Sequence, residues 1–297
     1  MRIVITAANG AVGQAILALG AREREPPITL VAAVRSDRAA KELPPLPDHQ
    51  IARISYDNLA SLKAAFAGAS AVIHLAGVLV EQPGSTYEKA HIETTRNVAE
   101  AAANSGVGKL VYVSAIGADE ASSNRYWRTK GAAEALVRAC GCAHTILRVP
   151  LLLGPKTEGA AALQRHLSRP SVMLPGGGRN LQQPLHVDDL ARAAILAADP
   201  LVAKNRSLDL VGPVSLPDRE ILERAAKLLG RDVRIRSIPT GLLRFALTLR
   251  QSIGRSGFSP DVLEVITADT RLDPTPAATE LGVRLTGLDE MIAQSLR

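Results

Sequence analysis

Short apolar stretches alternate with helical ones through the first half of this chain, and that rhythm leaves few folds open to it. The stretches are Arg2–Thr6, residues 28–34, Ile51–Ile54, Ala71–Leu75, Leu110–Ser114 and His144–Val149. Val12, Ala15, Ile16 and Leu19 recur at helical spacing over residues 11–21. Helices are expected again over Leu59–Phe66, about Thr86 to Ser105, and Asn124–Ala139. Strands separated by helices form βαβ units with parallel pairing. A parallel sheet is covered on both faces, so its strands should be apolar on both, as these are. The expected fold class is α/β, a doubly wound parallel sheet with its ligand at the strands' carboxyl ends, where the strand order reverses.

The turn after the first strand, Thr6-Ala7-Ala8-Asn9-Gly10-Ala11-Val12-Gly13, suits a dinucleotide. Gly10 sits where backbone must approach a pyrophosphate, and Gly13 where the helix must pack closely on the sheet. The amides at the helix N-terminus then hold the anion. Ala7 stands where a first glycine is usual, and alanine disfavours positive φ. After the second strand comes Arg35, whose guanidinium fits a 2′-phosphate bidentately and favours NADP(H). Asp37, two residues on, keeps NAD(H) open. Asp57 and Asn58 follow the third strand, where they edge an adenine or cap the next helix. Leu75, Ala76 and Gly77 end the fourth strand and let a ribose lie against backbone. His74, inside an apolar run, reads as a core histidine.

Tyr126 and Lys130 lie at i and i+4 on the helix expected from Asn124, so they share a face. A free phenol titrates near 10, and an ammonium within about 4–6 Å lowers an acid's pKa by around one to three units. Tyr126 is the candidate acid/base and Lys130 its neighbour, also placed to hold the nicotinamide ribose. Ser114, at the end of its strand, is placed to hydrogen-bond the substrate oxygen. Trp127, the only tryptophan, either lines the pocket or packs.

The second half is less regular. Pro170–Arg179, with Gly176-Gly177-Gly178, is expected to be a mobile loop. Residues 184–198 read as an extended stretch leading into a helix capped by Asp188 or Asp189. Ser207–Val211 and Val233–Ile238 read as strands. Residues 1–155 with 183–211 are therefore expected to form a dinucleotide-binding domain of Rossmann type. Residues 156–182 with 212–297 form a smaller substrate-binding lobe, the substrate lying between the two. The 297 residues, 46% of them hydrophobic, suffice for such a core.

Several function classes drop out. The net charge is +6 with pI near 9.6. No basic tail or aromatic-basic interleaving supports nucleic-acid binding, so the excess favours anionic small molecules. The histidines show no metal-ligand spacing, and no GxSxG nucleophile turn occurs. Cys140 and Cys142 are too close for an easy disulfide and wrong for a CxxC pair, a reduced-compartment pattern. No leader or transmembrane stretch is expected, and the expected location is cytoplasmic. Residues 241–255 mix a broad apolar face with Arg244, Arg250 and Arg255. They read either as a lid helix or as a weak peripheral contact with an anionic membrane.

With these motifs the chain resembles the short-chain dehydrogenase/reductase superfamily, in particular its extended and atypical NAD(P)-dependent epimerase/dehydratase members. Within those it is similar to the subgroup of the nucleotide-binding accessory subunit of respiratory complex I, which includes coenzyme Q biosynthesis reductase-like proteins. The family's TGxxGxxG turn falls on Thr6–Gly13, and its serine, tyrosine and lysine on Ser114, Tyr126 and Lys130. Its central-helix asparagine falls on His91, and a second on Asn97. Arg148-Val149-Pro150, Gly154-Pro155 and His186-Val187-Asp188-Asp189-Leu190-Ala191 match later signatures. The resemblance implies NADP(H) or NAD(H) binding, with Val149 beside the cofactor, and hydride transfer to or from a carbonyl or alcohol of a small molecule, hydrophobic or quinone-like. Two other roles occur in such families: a non-catalytic NADPH-binding assembly protein, and a nucleotide-sugar epimerase or dehydratase with its diphosphate near Gly176–Gly178.

Overall fold

The computed structural model describes residues 1–20, 28–44, 49–252 and 257–297. Parts of two sequence expectations, the loop past residue 44 and the basic segment past residue 252, lie outside the described residues. The first half runs β1 (Arg2–Thr6), α1 (Ala11–Gly20), β2 (Thr29–Val34), α2 (Asp37–Lys41), β3 (His49–Arg53), α3 (Leu59–Phe66), β4 (Ala71–His74), α4 (Thr94–Asn104), β5 (Lys109–Ala115), α5 (Arg125–Ala139) and β6 (Ala143–Val149). There follow β7 (Leu152–Leu153), α6 (Glu158–Leu167), β8 (Ser171–Pro175), β9 (Leu181–Gln182), β10 (Leu185–His186), α7 (Val187–Ala197) and β11 (Arg206–Asp209). The chain ends with β12 (Leu216–Pro217), α8 (Asp218–Leu228), β13 (Arg234–Ile238), α9 (Thr240–Ser252), α10 (Pro260–Thr267), α11 (Thr275–Leu281) and α12 (Leu288–Ser295).

Seven strands form one sheet in the order β11-β6-β5-β4-β1-β2-β3. Every pairing in it is parallel. The chain steps outward from β1 to β3, then returns to lay β4 on the other side of β1. That reversal opens a crevice at the carboxyl ends of β1 and β4. Apolar residues on both strand faces drive this arrangement. Ile3, Ile5, Ile16, Leu17 and Leu190 pack between the sheet and α1 and α7. Val4, Val72, Leu62, Phe66, Val98 and Tyr112 fill the opposite face under α3, α4 and α5. Each such burial is worth about 1.5–3 kcal/mol relative to exposure.

A third apolar cluster joins α6, α8 and α12 through Leu163, Leu174, Ile221, Leu222, Met291 and Ile292. Ala277, Leu281 and Val283, around α11, pack instead on the α1–α7 face of the main sheet.

Three local expectations are corrected. The stretch 170–179 is not all loop: Ser171–Pro175 forms β8, paired in parallel with β13. Its prolines and glycines mask a strand whose partner lies some sixty residues downstream. The glycines make the turn that ends it, all three at positive φ (57°, 72° and 66°). Second, His186, not Asp188 or Asp189, caps α7, its Nδ1 accepting from the Asp188 amide at 3.2 Å. Asp189 turns inward and accepts from Thr286 N and Oγ1 at 2.7 and 2.8 Å. Third, the helix expected from Thr86 opens as a π-helical turn, Glu88–Glu93, before α4 begins. π turns widen the backbone and cluster at functional sites; this one carries the buried His91.

Candidate active site at the carboxyl edge of the sheet

The turn between β1 and α1 has the geometry of an anion cradle. Ala7 takes a φ of 52°, the strain expected where alanine replaces glycine, and its carbonyl accepts from Gly10 N at 3.1 Å. A Cβ on Gly13 would lie 2.5 Å from the Ala8 carbonyl oxygen. Only glycine lets α1 sit this close. Gly10 is exposed, leaving the backbone before α1 open to an incoming group. The first helical bond across the turn runs from Gln14 N to Gly10 O at 2.9 Å. The amides of Ala11, Val12 and Gly13 precede it and have no partner within the helix. With the helix dipole they suit a pyrophosphate. Asn9 donates to Glu42 Oε2 at 2.9 Å, which ties this turn to α2.

Not every residue expected at the cofactor faces the crevice. The Thr6 side chain is fully buried and bonds His74 Nδ1 at 2.8 Å, linking β1 to β4. Ala8 is fully buried too. Asn58 caps α3 by accepting from Ser61 N at 3.1 Å. Asp57 is exposed and pairs with Lys89 at 3.6 Å. Arg35 is exposed at the end of β2 and has no acidic partner among the described residues. Asp37, its rival for the ribose, pairs with Arg53 at 2.8 Å. Leu75 donates its amide to Thr6 Oγ1 at 3.3 Å, and Ala76 and Gly77 follow as a bare strip of backbone. A Cβ on Gly77 would lie 3.5 Å from His91 Cδ2 and 3.9 Å from Lys130 Nζ. The strip therefore lies beside His91 and Lys130.

Asn124 fixes the start of α5, its Oδ1 accepting from Tyr126 N at 3.0 Å and its Nδ2 donating to Asp261 O at 3.1 Å. Arg125 anchors the same turn to Glu81 at 3.0 Å and Glu88 at 3.2 Å. The Tyr126 ring meets Tyr87 and His91 edge-on, at centroid distances of 5.7 and 5.5 Å. Its hydroxyl has no hydrogen-bond partner among the described residues and the side chain lines a cavity. His91 is held by Thr129 Oγ1 at 2.9 Å and the Val78 carbonyl at 3.0 Å. Of this collar, sequence reading singled out His91 and missed Asn124, Arg125, Glu81, Tyr87 and Thr129; the asparagine before α5 was a readable cap.

Lys130 is buried. Its Nζ donates to the Val113 carbonyl at 2.8 Å and sits 4.4 Å from the Tyr112 ring centroid. Burial lowers its pKa to about 7, with Glu134 acting in the opposite direction. Tyr126 does not show the expected lowering. Burial pushes its phenol up to about 12, because desolvation disfavours the phenolate.

Ser114 is also placed differently from expectation. Its hydroxyl is buried without a hydrogen bond, and the cavity is lined at this point by Ala115, Ile116 and Gly117 instead. The sheet pleat explains it: Ser114 follows Tyr112 toward the α4–α5 face, while Ala115 points the other way. Trp127 both packs and lines. Its ring covers Gly117, where a Cβ would lie 2.9 Å from Trp127 Nε1, and it forms part of the cavity wall.

The cavity holds about 510 Å³. The sheet side contributes Tyr126, Trp127, Val149 and Ala115. The third cluster contributes Leu153, Leu163, Leu174, Ile221 and Leu222, and the segment 265–270 closes it. Among the described lining residues there is no lysine or arginine; the charged or titratable ones are Tyr126, His166, Asp218 and Asp269. The Gly176–Gly178 turn uses its three amides internally, donating to Ile238, Leu174 and Pro175 carbonyls at 2.9, 3.0 and 2.9 Å. No helix among the described residues is long and apolar enough to cross a membrane.

Known proteins share this framework. The mitochondrial NADH-ubiquinone oxidoreductase 40 kDa subunit of Neurospora crassa is 24% identical over 228 residues, covering 76% of this chain and 60% of that protein. Ceramide reductase of Caulobacter vibrioides is 29% identical over 180 residues, covering 58% of this chain and 54% of that protein. The chain thus spans less than two thirds of the length of these relatives. The solved UDP-glucose 4-epimerase of Thermotoga maritima has the same fold, with a TM-score of 0.76 at 18% identity over 100% of this chain and 97% of its own. The model of the NAD(P)H-binding family matches residues 7–173, more than half of the sequence and the whole run from the anion cradle through Tyr126 and Lys130. The chain belongs to the NAD(P)H-binding family.

Proposed function

We propose that the protein is an NADP(H)-preferring oxidoreductase acting at a carbonyl or alcohol carbon of an apolar, lipid-like or quinone-like small molecule. The observation that carries this reading is that one helix, α5, presents a partnerless phenol to an apolar cavity and a buried amine beside Gly77. A bound nicotinamide supplies or takes the hydride. Gly10, Gly13 and the amides of Ala11 and Val12 hold its pyrophosphate, with Ala8 and Asn9 shaping the turn. Arg35 meets the 2′-phosphate, and Asp57 and Asn58 flank the adenine. Leu75, Ala76 and Gly77 admit the ribose, Lys130 holds its hydroxyls, and Val149 packs nearby. Tyr126 gives a proton to the carbonyl oxygen, or takes one from the alcohol. Ser114 receives no substrate contact in this proposal, because its hydroxyl is enclosed.

The cavity wall favours this reading over a nucleotide-sugar enzyme. A diphosphate buried without a cationic partner is strongly disfavoured; no lysine or arginine is among the described lining residues, and the glycine turn uses its amides internally. Phenol and cavity together favour turnover over a purely structural cofactor holder. Oxidation of NADPH with a panel of alkyl and aryl ketones tests the point; no turnover with any member, with NADPH bound, favours the holder. For the cofactor, Arg35→Ser should weaken NADPH binding by about tenfold to a hundredfold, the range for a charged hydrogen bond, and leave NADH unaffected. Calorimetry checks this, and tighter binding of NADH by the unmodified protein overturns the preference.

The reading extends to a weak contact with an anionic lipid surface. Leu242, Phe245 and Leu249 follow one face of α9, exposed at 64%, 69% and 60%. The neighbouring Arg234, Arg236 and Arg244 are exposed as well, and neither β13 nor α9 contains an acidic residue. Such a face suits the headgroup region of a negatively charged bilayer. The protein should co-sediment with phosphatidylglycerol vesicles at low salt and be released at high salt. Phe245→Ser should abolish the association, and absence of binding at low salt removes this proposal.

A further inference from the structure

The wall contributed by α6 and α8 contains chemistry that hydride transfer does not use. Asp218 opens α8, and its carboxylate caps nothing; its amide donates to Asn180 O at 3.0 Å. It lines the cavity with no hydrogen bond or ion pair to its side chain among the described residues. His166, in the last turn of α6, lines the same cavity, and its imidazole is likewise without a partner there. The Trp127 Nε1–H, in the same wall, is also buried without a partner, whereas other polar wall residues are engaged within the protein. Asn180 and Gln182 donate to the Ile266 carbonyl at 3.3 and 3.0 Å, Asp269 accepts from Leu181 N at 2.7 Å, and Thr267 donates to Leu263 O at 2.7 Å.

The partnerless groups facing the cavity therefore belong to two regions. Tyr126 and Trp127 come from α5 at the sheet edge. Asp218 and His166 come from helices of the third cluster. Apolar side chains make up most of the wall. A carboxylate facing an apolar pocket without a partner is costly. In a binding site such a group is the sort that orients a ligand by a matching polar atom.

We propose that Asp218, assisted by His166, forms an anchor for a hydrogen-bond donor on the substrate, at the end away from the reacting carbonyl. The inference rests on the oxidoreductase reading for the reacting end. It narrows the substrate class to apolar carbonyl compounds that carry a hydroxyl or ammonium group at the far end. Burial raises the Asp218 carboxyl to about 6, so near neutral pH it is an acceptor for either donor. Burial, then Arg165 and Arg169, lowers His166, which leaves a neutral ring able to donate and accept.

Trp127 allows a test that does not depend on turnover. It is the only tryptophan and forms part of the cavity wall, so its fluorescence reports occupancy. The probes are the methyl ketone decanone and its omega-hydroxy and omega-ammonio derivatives. The unmodified protein should bind at least one donor-bearing ketone about tenfold more tightly than decanone, the range for a hydrogen bond to a charged group. Tighter binding of the ammonio compound alone identifies a cationic ligand, and of the hydroxy compound alone a neutral one. Asp218→Leu should abolish the discrimination while retaining decanone binding. Asp218→Asn, which keeps the shape, should retain part of it for the hydroxy ketone and lose it for the ammonio ketone. Equal binding of all three probes by the unmodified protein overturns the anchor, as does discrimination that survives in Asp218→Leu. These are binding results, so they stand whether or not the probes are reduced; failure of reduction with discrimination intact would count against the oxidoreductase reading alone.

Discussion

Replacing Tyr126 by phenylalanine should cut turnover by about a hundredfold to ten-thousandfold, the contribution of a positioned acid/base, without changing NADPH affinity. The phenol has no hydrogen-bond partner among the described residues, so the substitution removes a proton donor and leaves no stranded group behind. Its two ring neighbours, Tyr87 and His91, pack on carbon edges that phenylalanine keeps. The sign of the pKa shift adds a second expectation. With the phenol held up at about 12, Tyr126 is protonated throughout the neutral range. It is then ready to give a proton in the reductive direction and poorly prepared to take one. Carbonyl reduction should be nearly independent of pH on its account, whereas alcohol oxidation should climb by about tenfold per pH unit through the neutral and mildly alkaline range. Steady-state rates in both directions check this. Equal activity in the phenylalanine variant removes Tyr126 from the mechanism.

Acid should unfold the protein earlier than its carboxylates alone would dictate. His74 and His91 are both fully buried, and burial with the nearby Lys130 charge lowers each to about 3. An unfolded histidine titrates near 6.5. As pH falls below that value the unfolded chain takes up protons that the folded chain refuses. Stability is then lost progressively from about pH 6.5 down toward 3. By pH 4.5 the two histidines together account for about 5 kcal/mol, comparable to the whole margin of many domains. Urea midpoints measured from pH 7 to 4.5 should fall steeply. His91→Asn should flatten the curve by roughly half while keeping a side-chain bond toward Val78. A flat profile for the unmodified protein would mean that water or a rearrangement solvates both rings.

The parts legible in the sequence are those written in local pattern. β1, its glycine turn and α1 were readable because burial on both strand faces, a helical stripe and the close approach of Gly13 all fall within twenty residues. Tyr126 and Lys130 were readable because helical spacing alone puts them on one face. The misses are positions settled by partners distant in sequence. β8 was hidden because β13 satisfies its backbone from afar. The pleat, not the strand boundary, decides that Ala115 and not Ser114 reaches the cavity. The lowering expected of Tyr126 depended on charge alone, while the fold adds desolvation, which raises it instead. Asp218 carried no motif at all; its role in the wall follows from a cavity built jointly by α5, α6, α8 and the segment 265–270.

β8 and β13 pair with each other and with no strand of the seven-stranded layer. The wall carrying Leu174 can therefore vary in sequence without disturbing a single ladder bond of the coenzyme-bearing sheet. On the proposed function, the part of the substrate wall built by β8 is under structural control separate from the nucleotide-binding sheet. Divergence among close kin should then show as altered substrate preference above an unaltered nucleotide grip.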